Sequence, residues 1–250
     1  MTLKATLIGL VLLLTSLTAT AKEPPRVRQA RKSKLGTVQR LLARVGLSYP
    51  PRQVLLRVFK KERRLEVWAR GDAAFKRVQD YAICAASGEL GPKRRQGDYQ
   101  VPEGFYHIAV FNPWSAYHLS MGINYPNASD RLLGYRPNLG SAIMIHGNCV
   151  SIGCMAITDD KIKEVYLLAL GARQRGQRRV PVHIFPTRLT DETLRRLQKN
   201  HSARLVRFWR NLQPGYLHFE KHRQLPRINV DRRGRYVVRT QSGVVVAQSR

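Results

Sequence analysis

Beyond its first 21 residues the chain has no apolar run that could cross a bilayer, which takes about 20 residues, and it has neither an internal repeat nor a low-complexity tract. Those absences leave out a multi-span membrane protein and a repeat array. Acidic side chains are scarce: 16 Asp and Glu stand against 44 Lys and Arg, a formal net charge of +28. Such an excess draws any anionic partner, and nucleic acid is the usual first guess. Cysteine is scarcer still, limited to Cys84, Cys149 and Cys154, and an odd count leaves at least one thiol unpaired within a monomer. With 250 residues and 43% hydrophobic content, the chain can bury a core without staples.

The N-terminal run MTLKATLIGLVLLLTSLTATAKEPP places Lys4 ahead of an apolar stretch from Ala5 to Leu17, with Ala19-Thr20-Ala21 before Lys22. This is the grammar of a secretory signal peptide over residues 1–21, and the stretch is short enough to favour cleavage over a retained anchor. An exported basic protein meets anionic envelope polymers and lipid head groups before it meets DNA. The charge therefore reads as attraction to envelope surfaces in a periplasm, with no nucleic-acid partner; a merely solvated basic face is the plainer alternative.

Residues 22–51 read as a basic arm and a short helix, TVQRLLARVG, in which Val38, Leu41, Leu42 and Val45 recur at helical spacing. In 52–186, VLLRVFKKERRLEVWA suggests a hairpin around KKERR, and strand character returns in GFYHIAVF, SAIMIH and VPVHIF. Two Gly- and Pro-rich loops, residues 87–104 and 112–140, are too long for ordinary connectors and read as functional surfaces or lids. TDDKIKEVYLLALG reads as a helix capped by Thr158 and packed on the sheet through Ile162, Val165, Tyr166 and Ala169. Residues 187–250 read as a C-terminal extension: a helix capped at Thr190, an amphipathic helix whose Trp209, Tyr216 and Phe219 face the core, and a hairpin in RINVDRRGRYVV. Strands that come first and join by hairpins, with helices late, predict an α+β fold around a mixed, mostly antiparallel β-sheet.

The densest chemistry is HGNCVSIGC, His146–Cys154, directly after the apolar run AIMI. A thiol attacks a carbonyl only as thiolate, so it needs a nearby base and donors for the oxyanion that forms. His146 would end a strand, and the eight-residue interval lets the chain return to Cys154. Gly153 permits close approach of a substrate, the amides of Gly153 and Cys154 would lie near a helix N-terminus that favours thiolate and oxyanion, and Ser151 would orient the loop or the base. Two other arrangements fit the spacing: a local Cys149–Cys154 disulfide, or zinc on His146 and both cysteines. Zinc usually takes four ligands, and HxxC with one further cysteine lacks a second half, so no metal is expected. His118, with Tyr117 and Ser120 beside it, is a candidate to contact substrate or support the base.

The stretch resembles the signature of the L,D-transpeptidase catalytic domain, the YkuD family, in which a strand-end HG precedes an S-x-G-C motif: here His146-Gly147 and Ser151-Ile152-Gly153-Cys154. LLRVFKKERRLEVWA, YAICAASGELGPKRRQGD and VPEGFYHI follow in the family's order, so the resemblance covers roughly residues 52–186. FNPWSAYHLSMGINYPNASDR, SIGCMAITD and FWRNLQPGYLHFEKHRQLPRINV resemble the YafK-like branch. The resemblance implies a YkuD-like fold and acyl transfer on peptidoglycan (murein) without metal or cofactor. Cys154 would attack the diaminopimelate carbonyl of a stem peptide, His146 would move the proton, and the Gly153 amide would hold the oxyanion. The acceptor would be another stem, an outer-membrane lipoprotein lysine or water. YafK-like members resemble enzymes that cut the lipoprotein link, making hydrolysis the net outcome.

The commoner motif is S-H-G-C-x-R, and here Ile152 and Ala156 stand where the second histidine and the arginine would be. Another cation would then meet an anionic substrate. Arg131 and Arg136 are the candidates, and His118, Arg131 and Gly147 form the expected substrate-binding set. A bridge between Cys84 and Cys149 would leave Cys154 free. A non-catalytic module that only holds murein or anionic lipid is the alternative; a secreted nucleic-acid binder rests on charge alone.

Overall fold

The computed structural model describes residues 22–240 and 243–245; the leader expected over 1–21 lies outside the described residues. The runs QVLLRVF and RLEVWAR form β1 (Gln53–Phe59) and β2 (Arg64–Arg70), an antiparallel hairpin with almost every side chain buried. Continuous burial means that both faces of these strands are covered. Val54, Leu56 and Val58 join one apolar cluster with α1 (Pro25–Ala43) and α3 (Asp159–Gln174). Leu55 and Phe59 face the other way, toward α5 (Ala203–His222).

Six more strands complete the main sheet: β3 (Lys76–Ala82), β4 (Gly104–Asn112), β5 (Ser120–Ile123), β6 (Met144–His146), β7 (Met155–Ala156) and β8 (Pro181–Phe185). Their order is β3-β2-β1-β8-β4-β5-β6-β7. Pairs β1/β8 and β6/β7 are parallel and the rest antiparallel. The molecule is α+β with a mixed, mostly antiparallel sheet, as the order of patterns implies.

The sequence reading and the structure part in three places. The basic stretch ahead of Thr37, expected as an arm, is helical from Pro25, a proline suited to a first turn. Val27 and Ala30 extend the apolar stripe upstream, and Lys34 anchors it to α3 through Asp160 and Glu164. The segment 112–140 is not a bare loop, since it holds β5 and α2 (Ala128–Leu133), whose first turn is closed by a reciprocal Asn127–Asp130 capping box. Thr158 stands at the cap of α3 but its hydroxyl makes no capping bond.

The C-terminal segments fold back on the sheet. α4 (Asp191–Gln198) is capped by Thr190, whose hydroxyl accepts the Thr193 N–H at 3.2 Å. Trp209, Tyr216 and Phe219 of α5 are buried. β9 (Arg227–Val230), β10 (Tyr236–Thr240) and β11 (Gly243–Val245) make a second, antiparallel sheet. Arg57, opposite Glu66 across the β1–β2 hairpin, is fully buried and donates to Glu220 at 2.7 Å. Its guanidinium sits 4.7 Å from the Phe219 ring and 5.1 Å from Phe59. Among the described residues no helix is long and apolar enough to cross a membrane.

Candidate active site

The strand register brings His146 and Cys154 together. β5, β6 and β7 align Ser120 with His146 and His146 with Ala156. Carried back, the β6–β7 register sets Cys154 opposite Met144. Side chains alternate along a strand, so Cys154 and His146 share one face, offset by one strand spacing and two residues of rise, about 8 Å between their α-carbons. That face is open: Met144, His146 and Cys154 all line a cleft of about 520 Å³.

His146 is 2% exposed and its ring lies 4.8 Å from that of Tyr117. Its Nδ1 meets the Gly147 carbonyl at 2.5 Å. A carbonyl only accepts, so Nδ1 carries the proton and Nε2 keeps its lone pair. Burial holds the imidazole pKa below its ordinary 6.5, with the Gly147 contact opposing. Burial pushes the Cys154 thiol above its ordinary 9.0, offset in part by a main-chain bond at Met144 and the charge of Lys93. The helix-terminus effect expected at Cys154 is not realised, because β7 lies between it and α3. Both groups are therefore neutral near pH 7.

The loop between them is held at several points. Ser151 Oγ donates to the Cys154 carbonyl at 2.7 Å and accepts the Gly153 N–H at 3.2 Å. Gly153 has φ +121°, a conformation side chains rarely adopt, and its N–H is engaged within the loop rather than free. The Cys154 N–H belongs to neither contact and lies outside the ladder that begins at Met155. Cys149 is bridged to Cys84, with α-carbons 5.5 Å apart, and Cys154 is free. The bridge takes Cys149 out of both a disulfide with Cys154 and a shared metal site. Cys84 is itself fastened to β7, its N–H donating to the Ala156 carbonyl at 2.9 Å.

Of the remaining expected residues, Tyr117 and Ser120 line the cleft and His118, Gly147, Arg131 and Arg136 do not. His118 has φ +69° and its carbonyl accepts from Arg26 at 2.7 Å. Arg26 also donates to the Ser115 carbonyl, so α1 anchors the segment that carries Trp114 and Tyr117. Gly147 is buried, and a Cβ there would press on Asp159, the Tyr117 carbonyl and His118; its role is close packing. Arg131 and Arg136 are exposed and bonded to each other, Arg136 Nε donating to the Arg131 carbonyl at 2.9 Å.

The cation that does reach the cleft is Lys93, held by Asp98 at 2.5 Å and the Arg95 carbonyl at 2.8 Å. Sequence reasoning missed it because the run KRRQGD offers three cations and only the folded loop selects one. Exposed Trp114 and Tyr99 on the cleft rim were missed for a similar reason: isolated aromatics in loops carry no periodic signal.

The signature of the L,D-transpeptidase catalytic domain, YkuD, matches residues 53–184. The chain belongs to this family. Among curated relatives, "Putative L,D-transpeptidase YafK" of Escherichia coli K12 is 42% identical over 187 residues, covering 74% of this chain and 73% of that protein. The Escherichia coli O157:H7 protein of the same name matches equally. Among solved structures, the helical cell shape determining protein Pgp2 of Campylobacter jejuni is 15% identical, covering 78% of this chain and 80% of that one with a TM-score of 0.44. Bd1075 of Bdellovibrio bacteriovorus is 18% identical, covering 79% and 91%, with a TM-score of 0.41.

Membership makes this L,D-transpeptidase-family chain an enzyme of peptidoglycan. Its two departures from the commoner motif now have places. Ile152 is 78% exposed on the rim of the cleft. Ala156 is buried in β7 opposite His146, so no cation enters the cleft from that position.

Proposed function

We propose that this L,D-transpeptidase-family enzyme breaks or exchanges the amide at the diaminopimelate carbonyl of murein stem peptides, with Cys154 as nucleophile and His146 as proton carrier. The observation that carries the reading is a free thiol and an imidazole lining one cleft. The Cys154 proton passes to His146 Nε2 as sulfur attacks the carbonyl. The Cys154 N–H receives the oxyanion, joined by the Gly153 N–H once that amide turns from Ser151. The imidazolium returns its proton to the leaving amine, giving a thioester. His146 then deprotonates water or an amine, which attacks the thioester and frees the thiol. Lys93, paired with Asp98, is the cation that lines the cleft where a substrate carboxylate would lie, in place of Arg131.

The YafK-like stretches favour the link between murein and an outer-membrane lipoprotein lysine as the bond cut, with hydrolysis as the outcome. This assigns the protein to the periplasm, reached through the signal peptide over 1–21, and its surplus of cations to anionic envelope surfaces.

The test is to incubate the protein and its Cys154→Ala variant with purified sacculi and follow released peptides and lipoprotein by mass spectrometry, with and without an added amine. Product is expected from the native protein only, as free acid even when amine is present. Equal product from both proteins removes the proposal, and an amine adduct makes the enzyme a transferase.

A further inference from the structure

The loop that gives Lys93 and Tyr99 to the reactive cleft gives Leu90, Arg94 and Gln100 to a second cavity, about 850 Å³ against about 520 Å³. The N-terminal half of α5 and the turn after α2 complete it, and its apolar wall includes Leu205, Phe208 and Tyr135. Arg94, Arg204, Arg207 and Arg235 line it with no Asp or Glu among the lining residues. Arg235 is paired with Asp231 at 2.8 Å, whereas Arg204 and Arg207 are exposed and have no ion pair among the described residues. Arg94 lies 4.9 Å from the Phe208 ring, and its Nη1 is buried without a hydrogen-bond partner among the described residues. A buried guanidinium N–H with no acceptor is costly, and an incoming oxygen relieves that cost.

We propose that this groove is a second substrate site that binds a carboxylate-bearing peptide, and that in the sacculus the peptide is a murein stem held beside the one under attack. Its identification as a stem rests on the function proposed above; the groove's preference for a carboxylate does not. Guanidinium groups pair with carboxylates through two parallel hydrogen bonds, and the groove sets several of them along an apolar wall, matching a peptide that alternates carboxylates with small apolar side chains. A flat lipid surface fits less well, because these guanidinium groups line a concave groove with an apolar wall rather than a flat face.

The experiment titrates a purified disaccharide–tetrapeptide into Cys154→Ala protein by calorimetry, so that no turnover intervenes. The variant R204Q/R207Q, which changes only exposed side chains, is expected to lose one binding equivalent or to weaken it roughly fivefold, and Arg94→Met to do so without the exposed pair being touched. Removing the same charge elsewhere, in R40Q/R44Q, is expected to leave both equivalents intact. Unchanged stoichiometry and affinity in R204Q/R207Q and Arg94→Met overturn the proposal, as does an equal loss in R40Q/R44Q. Loss of binding to phosphatidylglycerol vesicles with peptide binding retained also overturns it and makes the groove a lipid site. If the native protein leaves sacculi uncut while the groove variants lose peptide, the chemistry fails and the groove stands; cut sacculi with unaltered peptide binding give the reverse.

Discussion

Burial moves the two groups of the site in opposite directions, lifting the Cys154 thiol above 9.0 and lowering the His146 imidazole below 6.5. Near neutral pH the proton is on sulfur and the base is empty, so attack begins with a transfer inside the pair and not from a stored thiolate. Activity then needs one proton shared by the two groups. On acidification His146 takes up a second proton and can no longer accept one; on alkalinisation the shared proton is lost and none remains for the leaving amine. The expected kcat/KM is a plateau with an acid limb below pH 6.5 and an alkaline limb above pH 9.0. Iodoacetamide labelling of Cys154 should rise only along the alkaline limb, and full labelling at pH 6 would contradict it. At this scale the sulfur and the imidazole were legible from HGNCVSIGC, because spacing and residue type suffice to name them. Their ionisation was not, since it depends on burial, which only the folded cleft sets. Lys93 was not legible either, because neighbouring Arg94 and Arg95 are indistinguishable from it until the loop is folded.

Elements fix the loop that joins the pair. The Cys84–Cys149 bridge spans a sequence separation of 65, and Cys84 is bonded to β7, so the loop from Gly147 to Gly153 is fastened to the strand that leads out of Cys154. Removing the bridge in C84S/C149S is expected to lower stability by about 4 kcal/mol in the chain-entropy description of a loop that long, measured by urea unfolding. It is also expected to lower kcat/KM at least roughly tenfold, since small displacements of a reacting group are costly; an unchanged rate would show that the loop holds itself. Strand and helix patterns in the β1–β2 hairpin, α3, α4 and α5 could be read directly because each has an uninterrupted period. β5 and α2 could not, being four and six residues long inside a segment rich in Gly and Pro. α1 was read short because only Val27 and Ala30 mark its first half, and its stability there comes from contacts with α3 that no local window contains.

The whole molecule is tied across a greater distance. Arg57 in the first strand of the sheet is enclosed by aromatic rings and finds Glu66 at 3.4 Å and Glu220 at 2.7 Å. The Glu220→Ala variant removes one partner of a buried cation and is expected to cost about 3 kcal/mol, at the low end for such a break because Glu220 is partly open to solvent, seen as a lower urea midpoint with an unchanged slope. A chain ending at residue 201 removes Glu220 together with the rings of Tyr216 and Phe219, and is expected to lack the near-ultraviolet dichroism of a packed core. The apolar face of α5 was legible as core-seeking, but not its target, because a solitary arginine in a strand does not announce which glutamate will meet it. The family match ends at residue 184, yet the nearer of the two carboxylates that meet Arg57 arrives 36 positions later, at Glu220. Any recombination event that grafted the matched stretch alone onto another gene would transplant a guanidinium with Glu66 but leave the nearer of its two carboxylates behind. Inheritance of the tail together with the reactive cysteine is thus favoured by folding, whatever else the tail contributes.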